Sequence, residues 1–355
     1  MDGQIGIGVV GTGFGVRVQI PVFASLPGVR VVSVCSSSQE RARKVAERYD
    51  IPHPTTDVSE LAALADVDLV SIATRPDLHH PGVLAALEAG KHVLCEKPFT
   101  LNASQARELL ERARERGVLH LLNFEFRTTP ARVEMRRLIQ DGYLGALRHM
   151  HMQSLSNFLE TVEGNFPPWW FETERGGGWL GASCSHDIDA LRFLFGEIVE
   201  VSAKLETAVP ERRVRGRSEP MRVEVDDTCF LLLRFANGAV GALLSGASVA
   251  TAAGTSGRLE AHGSEGSLLL AGGRLLGARK GEAELKELPV ATTDATVAFD
   301  DPHYIPFGIY AQQIAEAVRT GEPLTPDFYD GLRNQLVIDA ARRSSAEGCW
   351  VATGA

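Results

Sequence analysis

Between Ile5 and Val16 the chain commits itself to one kind of fold. Ile5-Gly6-Ile7-Gly8-Val9-Val10 is a β-branched run, and it breaks directly into Gly11-Thr12-Gly13-Phe14-Gly15-Val16. A strand that ends in glycines and leads into a helix opens a dinucleotide-binding βα unit. The first glycine permits a tight turn and the second lets the backbone approach a pyrophosphate, which then sits at the helix amino end where free N–H groups and the dipole favour anions. The third glycine of the usual spacing falls on Val16, and Gly15 stands one residue early. A frame starting at Gly6 also fits the spacing, but it would bury the loop inside the strand. An ordinary βα turn is the competing reading, and the flanking strand and helix weigh against it.

The rhythm that follows supports an α/β fold. Strands are expected at 5–10, 29–34, 69–73, 93–95 and 119–123, separated by helices at 39–49, 81–89 and 103–116 whose apolar residues recur at three- and four-residue spacing. Such alternation builds a doubly wound parallel sheet. Pro21 sits awkwardly in the first helix, because a helix-interior proline removes a hydrogen bond and kinks the axis. Beyond residue 125 the pattern changes. A helix at 131–141 and a strand at 147–154 precede an irregular Trp- and Gly-rich segment at 157–181, and a helix spans about 183–195. Strands at 199–206, 228–235, 241–245, 258–262 and 267–270, joined by short turns, predict an open, mostly antiparallel sheet in a second, α+β domain. Two helices near 304–320 and 330–346 close the chain. The division expected is 1–124 for the dinucleotide-binding domain and 125–355 for a substrate-binding and oligomerisation domain. The arginine-rich stretch 211–217 is expected to be a solvated loop.

Composition narrows the partners. A formal net charge of −9 with no Lys/Arg run argues against nucleic-acid binding. No apolar stretch is long enough to span a bilayer, and none precedes the first strand as a signal peptide. The five cysteines, Cys35, Cys95, Cys184, Cys229 and Cys349, are scattered and form no Cys-x-x-Cys pair. That suits reduced thiols in a cytoplasm and offers no zinc site, so no metal is expected.

A second motif lies in the same domain. Gly90-Lys91-His92-Val93-Leu94-Cys95-Glu96-Lys97-Pro98 reads as a short buried strand that delivers an acid and a lysine to its carboxyl end, stopped by proline. In an open parallel sheet, ligands bind beyond the carboxyl ends of the strands. A lysine there can join proton transfer or polarise a carbonyl. The Lys97–Pro98 bond is a candidate for the cis form.

These residues resemble the glucose–fructose oxidoreductase / inositol dehydrogenase / MocA (Gfo/Idh/MocA) family through nearly the whole chain. The resemblance runs through the glycine turn, Ile72-Ala73-Thr74-Arg75-Pro76-Asp77-Leu78-His79-His80, and the Ala-Gly-Lys-His-Val block ending in Glu96-Lys97-Pro98. It continues in Gly176-Gly177-Gly178, His186-Asp187-Ile188-Asp189, Asp227-Thr228, Gly263-Ser264-Glu265-Gly266 and Asp327-Phe328. It implies a Rossmann domain, a carboxyl-terminal domain on an open sheet, NAD or NADP as cofactor, and a homodimer or homotetramer. Carried over residue by residue, Gly11, Thr12, Gly13, Phe14 and Gly15 would hold the pyrophosphate. Thr74, Arg75, Pro76, His79, Glu96 and Lys97 would line the nicotinamide side, with Trp169 near the ring. Lys97 and His186 match the family's catalytic lysine and histidine.

The chain departs from that pattern in three places. Ala182 stands where the family commonly has an aspartate four residues before the histidine, and Cys184 replaces a glycine. At the end of the second strand, where an acid would grip the adenosine ribose, the sequence reads Ser36-Ser37-Ser38. No carboxylate there repels a 2′-phosphate, which favours NADP slightly, with the serine hydroxyls and Arg41 as its partners.

On a helix, His186 and Asp189 are three apart and share a face, so Asp189 could fix the imidazole's tautomer. The plainer reading of His186 is a cap or packing residue. Hydride transfer needs a partner for the proton on the substrate oxygen. His186 suits that role because imidazole titrates near neutrality, while Lys97 would stabilise charge on the same oxygen and Glu96 would support Lys97. Trp169, Trp170, Phe171 and Trp179 form either a stacking wall for a sugar ring or interior packing. The expectation is an NAD(P)-dependent oxidoreductase acting on a secondary alcohol or ketone of a sugar, polyol or cyclitol. The alternatives are an NAD-dependent glycosidase of the same fold and an inactive nucleotide-binding regulatory protein.

Overall fold

The computed structural model describes residues 4–163, 166–251, 257–291 and 301–354. By its contacts the chain divides into two units, each assembled from separated stretches: residues 1–128 with 295–335, and residues 129–294 with 336–355.

Among the described residues the first unit holds a six-stranded parallel sheet. Its strands are β1 (Ile5–Val10), β2 (Val29–Cys35), β3 (His53–Thr55), β4 (Leu69–Ile72), β5 (His92–Cys95) and β6 (His120–Leu122), in the order β3-β2-β1-β4-β5-β6. β1 and β4 are buried at every position, which is why they read as continuous apolar runs without alternation. Between the strands run α1 (Ile20–Ser25), α2 (Gln39–Tyr49), α3 (Val58–Ala63), α4 (His79–Glu88) and α5 (Ala103–Arg116). Ser38, Asp57 and Asn102 cap α2, α3 and α5 by accepting backbone N–H bonds. Pro21 does not fall in the interior of an α-helix. A π-type turn at Gly15–Gln19 intervenes, so the proline falls at the first positions of α1, where its fixed φ suits a helix start.

The division differs from the expected one at 124. The helix α8 (Tyr304–Thr320) belongs to the first unit, because Phe307, Tyr310, Ala311 and Ile314 complete the core around Val22, Phe23 and β1. Phe23 and Phe307 meet edge to face with ring centroids 5.4 Å apart. Tyr310 donates its hydroxyl to the Leu122 and Pro326 carbonyls, and Leu122 N donates to Pro326 O, so this late segment also pairs with the edge strand β6. The last helix, α9 (Phe328–Glu347), begins in the first unit and ends in the second.

The second unit is built on a nine-stranded sheet among the described residues. It comprises β7 (Leu147–Leu155), β8 (Ile198–Glu206), β11 (Thr228–Phe235), β12 (Val240–Gly246), β13 (Arg258–Gly263), β14 (Gly266–Ala271), β15 (Arg274–Arg279), β16 (Lys286–Glu287) and β17 (Val351–Ala352), while β9 (Glu211–Arg212) and β10 (Met221–Arg222) form a separate ribbon. The order is β16-β15-β14-β13-β7-β12-β11-β8-β17, antiparallel except for the β7–β12 pair. Alternation decides the faces. Cys229, Leu231, Leu233 and Phe235 of β11 point into a core shared with α7 (Ser185–Phe195) and with Met135 of α6 (Pro130–Gln140). Phe230 and Leu232 point the other way and remain 48% and 52% exposed.

The stretch expected as a solvated loop at 211–217 holds a buried ion pair instead. Arg212 is 2% exposed and its guanidinium stands 3.1 Å from Asp227 Oδ2 while donating to the Leu159 and Thr161 carbonyls. Asp227 in turn accepts the backbone N–H groups of Ala208 and Val209. Val214 is buried as well, while the other neighbours, such as Arg213 paired with Glu163, face solvent.

Candidate functional site

The carboxyl ends of four neighbouring strands form one rim. Val10, Ile72, Cys95 and Leu122 lie in a row across β1, β4, β5 and β6. The next residues continue the ladder, with Ala73 N donating to Val10 O, Glu96 N to Ile72 O and Asn123 N to Cys95 O at 2.7–2.9 Å. Gly11, Ala73, Glu96 and Asn123 therefore leave the sheet side by side, with Thr74 and Lys97 one residue beyond. The strand order reverses between β1 and β4, which is where open α/β sheets bind their ligands.

The glycine turn at this rim fits a dinucleotide. Gly11 has φ +113°, and a Cβ there would lie 2.3 Å from the Ala73 carbonyl oxygen. A Cβ on Gly13 would meet nothing within 4 Å, leaving open backbone for a pyrophosphate. Gly15 is buried, and a Cβ there would press on Val9 at 2.9 Å. The residue that stood one place early is thus the one that packs the following turn onto β1, which explains why Val16 is tolerated in the usual third position. Beside the turn, the hydroxyls of Thr12 and Ser36 are 3.4 Å apart, and Ser38 is engaged as the α2 cap. Ser37 and Arg41 are exposed.

Next along the rim, Thr74 and Arg75 are half-buried and Pro76 is buried, and Arg75 Nε is held by Asp77 at 2.7 Å. His79 is wholly buried, with Nδ1 3.0 Å from the Pro98 carbonyl and Nε2 3.2 Å from the Thr74 carbonyl. Its ring ties the Thr74 loop to the Lys97–Pro98 loop. Burial lowers its proton affinity, against the pull of those carbonyls. The Lys97–Pro98 peptide is cis.

Lys97 is half-buried, and behind it lies a polar network that the sequence did not reveal. Glu96 Oε1 accepts from Asn123 Nδ2 at 2.6 Å and from Gln19 Nε2 at 2.9 Å, and Gln19 Oε1 accepts from the Ser71 hydroxyl at 2.8 Å. Burial, and then the nearby Glu125 carboxylate, push the Glu96 carboxyl up to about 8, against the opposing pull of Lys97. Glu125 is fully buried with Oε1 2.6 Å from His303 Nδ1, and the His303 ring stands edge-on to Phe14 of the glycine turn at 5.2 Å. Asn123 and Glu125 lie just past the end of β6, whereas Gln19 closes the π-type turn before α1. His303 comes from the far end of the sequence and carried no local signal.

In the second unit, a π-type turn at Leu180–Cys184 leads into α7. His186 and Asp189 are both buried there, and Ile188, Leu191 and Phe195 form the expected apolar stripe in the core. Asp189 Oδ1 lies 3.9 Å from Arg192, whose guanidinium also binds Glu197 at 2.7 Å. The residue between, Asp187, was not singled out. It accepts from the Ser245 hydroxyl at 2.7 Å, which in turn accepts from Trp179 Nε1 at 3.1 Å. Burial raises the Asp187 carboxyl to about 6, against its bonds to Ser245 and Ser154 and the charge of Arg132.

The aromatic segment resolves the expected choice in part. Phe171 and Trp179 are core residues and Trp170 packs against that core, so these three do not form a stacking wall. Trp169 remains half-buried, its ring 5.6 Å from Trp170. Gly177 lies so close to this segment that a Cβ would meet the Trp170 carbonyl oxygen at 2.6 Å. Residues 164 and 165 of the same segment lie outside the described residues.

The chain has clear relatives along its length. Residues 5–124 match a family described as an oxidoreductase family with an NAD-binding Rossmann fold, and residues 133–269 match the GFO/IDH/MocA C-terminal domain. An uncharacterised oxidoreductase of Synechocystis sp. is 32% identical, over 98% of this chain and 95% of its own length. Levoglucosan dehydrogenase of Pseudarthrobacter phenanthrenivorans is 28% identical, over 98% of both chains. A solved structure of levoglucosan dehydrogenase in complex with NADH and levoglucosan superposes with a TM-score of 0.88 at 26% identity, covering 99% of this chain and all of the other.

Proposed function

Because the chain belongs to the Gfo/Idh/MocA oxidoreductase family and carries its NAD-binding Rossmann domain, we propose that it is an NAD-dependent dehydrogenase acting on a secondary alcohol of a sugar, polyol or cyclitol, or on the matching ketone. One observation carries this reading: Lys97 and the glycine turn leave the carboxyl edge of one sheet, two strands apart, at its topological switch point. The levoglucosan complex of a structural neighbour makes anhydrosugars and sugars the first substrates to test.

When bound, the nicotinamide supplies the hydride acceptor or donor. The backbone at Gly11, Thr12, Gly13 and Phe14 binds and fixes the pyrophosphate. Lys97 donates a hydrogen bond to the substrate oxygen and stabilises the negative charge that builds there. His186 exchanges the proton of that oxygen. Glu96, kept neutral by burial and the neighbouring Glu125 carboxylate, is held in place by Asn123 and Gln19 next to Lys97.

The open face of the second unit's sheet, with Phe230 and Leu232 half exposed, is proposed to be covered by a second copy of the chain. Initial rates followed by reduced-cofactor absorbance, against a panel of sugars, anhydrosugars and polyols, test the activity. Steady turnover supports it. Glycoside release without net cofactor change would identify a glycosidase. Cofactor binding without either would identify a regulatory protein, the reading that Ala182 favours.

A further inference from the structure

On the sheet of the second unit, four imidazole or carboxylate side chains share one face. β7 contributes His149 and His151, and β13 contributes Glu260 and His262. The antiparallel register sets Glu260 opposite His151 and His262 opposite His149, a two-by-two block. We propose that His151, Glu260 and His262 form a binding site for a zinc-class divalent cation.

The spacing supports this. One ligand atom from each of the three residues lies within 4.8 Å of the other two. His151 Nε2 is 3.5 Å from Glu260 Oε1, and His262 Nε2 is 3.5 Å from Glu260 Oε2. Those separations are too long for good N–H···O bonds. They match two ligands of one ion, because bonds of about 2.05 Å meeting at a tetrahedral angle hold their ligand atoms about 3.3 Å apart.

An independent feature points the same way. His262 Nδ1 is 2.9 Å from the Ser267 hydroxyl on β14. A proton on Nδ1, donated to that oxygen, leaves the lone pair on Nε2, the nitrogen that faces Glu260. Glu260 is likewise oriented from outside, since the Arg258 guanidinium binds its Oε1 and leaves Oε2 toward His262. His149, its ring centroid 4.9 Å from that of His262, and water are available for a fourth position. Two imidazoles and a carboxylate suit zinc, cobalt or nickel; calcium and magnesium prefer oxygen alone. The positive charge of Arg258 opposes binding of a cation.

The test uses the full chain stripped with a chelator and titrated with zinc chloride by calorimetry, with cobalt absorption reporting coordination. The expected result is one equivalent per chain, tetrahedral cobalt bands, and loss of that binding in His262→Ala. Ser267→Ala should weaken it by about tenfold, the usual size of an outer hydrogen bond to a metal-bound imidazole. His151→Ala, at an exposed position, gives the same answer should His262→Ala fail to fold. Absence of saturable binding overturns the proposal, as does binding that survives both histidine variants.

Discussion

Asn123 Nδ2 stands 2.6 Å from Glu96 Oε1, and Gln19 Nε2 donates to the same oxygen at 2.9 Å. Two neutral amides hold this buried carboxyl, and burial together with the Glu125 carboxylate pushes its titration up to about 8 against the pull of Lys97. Below that pH the group is a neutral acid, and Glu96→Gln is close to its isostere. The variant should keep near-wild-type turnover at neutral pH. The sign for stability follows from linkage. A folded-state value near 8 against 4.5 in the unfolded chain means that stability is full at low pH and declines as pH rises through that window. Melting curves of wild type and Glu96→Gln should diverge accordingly, with the variant losing less between the two values. Parallel curves would show that Glu96 is not held neutral.

Lys97→Ala should leave cofactor affinity largely intact and cut turnover by about two to four orders of magnitude, the scale of a lost acid/base or charge-stabilising group. Fluorescence titration with NADH alongside steady-state rates separates the two effects. Unchanged turnover would remove Lys97 from the reaction.

Ser36 is the first residue beyond β2 and sits 3.4 Å from Thr12 of the glycine turn, where an acid would meet the adenosine ribose. With no carboxylate there, the wild type should accept NADP as well as NAD. Ser36→Asp should raise the KM for NADP by at least about tenfold, through repulsion of the 2′-phosphate, and change that for NAD far less. Equal effects on both would place the ribose elsewhere.

Much of the fold was legible because local and tertiary demands agree. The limits expected for β1, α2, α5, β11 and α8 coincide with those observed, each a run whose apolar period matches its burial. β3 and α3, three and six residues long, are too short to show a period. The membership of α8 was not legible, since an apolar stripe says that a helix is buried and not against what. The site divides in the same way. Glycines and strand ends announced the rim, whereas the contact between Glu125 and His303, 178 residues apart, left no local trace. Arg212 illustrates the opposite failure: an arginine-rich string looks solvated, and only the Asp227 carboxylate and two carbonyls reached in three dimensions make burial of one member tolerable.

That burial makes Arg212 a sensitive position. Arg212→Leu would leave Asp227 without its cation, accepting from the N–H groups of Ala208 and Val209 and from the Thr228 hydroxyl. Removing one member of a buried pair typically costs about 3–5 kcal/mol. Thermal or urea unfolding should show a loss of that order, whereas Arg213→Leu, whose partner Glu163 is exposed, should shift the midpoint little.

The open sheet face offers the last test. Phe230 and Leu232 lie on β11 beside Ala242 and Leu244 of β12, with a groove of about 380 Å³ running across to Ser202 and Lys204 of β8. Apolar side chains at 48% and 52% exposure on the same face of a strand are costly in water unless something covers them. A second copy burying this face would make Phe230→Glu disruptive to assembly and neutral to folding, since neither side chain belongs to the core of its own unit. Light scattering should give a dimer or larger for the wild type and a smaller species for Phe230→Glu and Leu232→Glu, with unchanged melting at low protein concentration. A monomeric wild type, or an assembly that tolerates both charges, would free this face for some other partner.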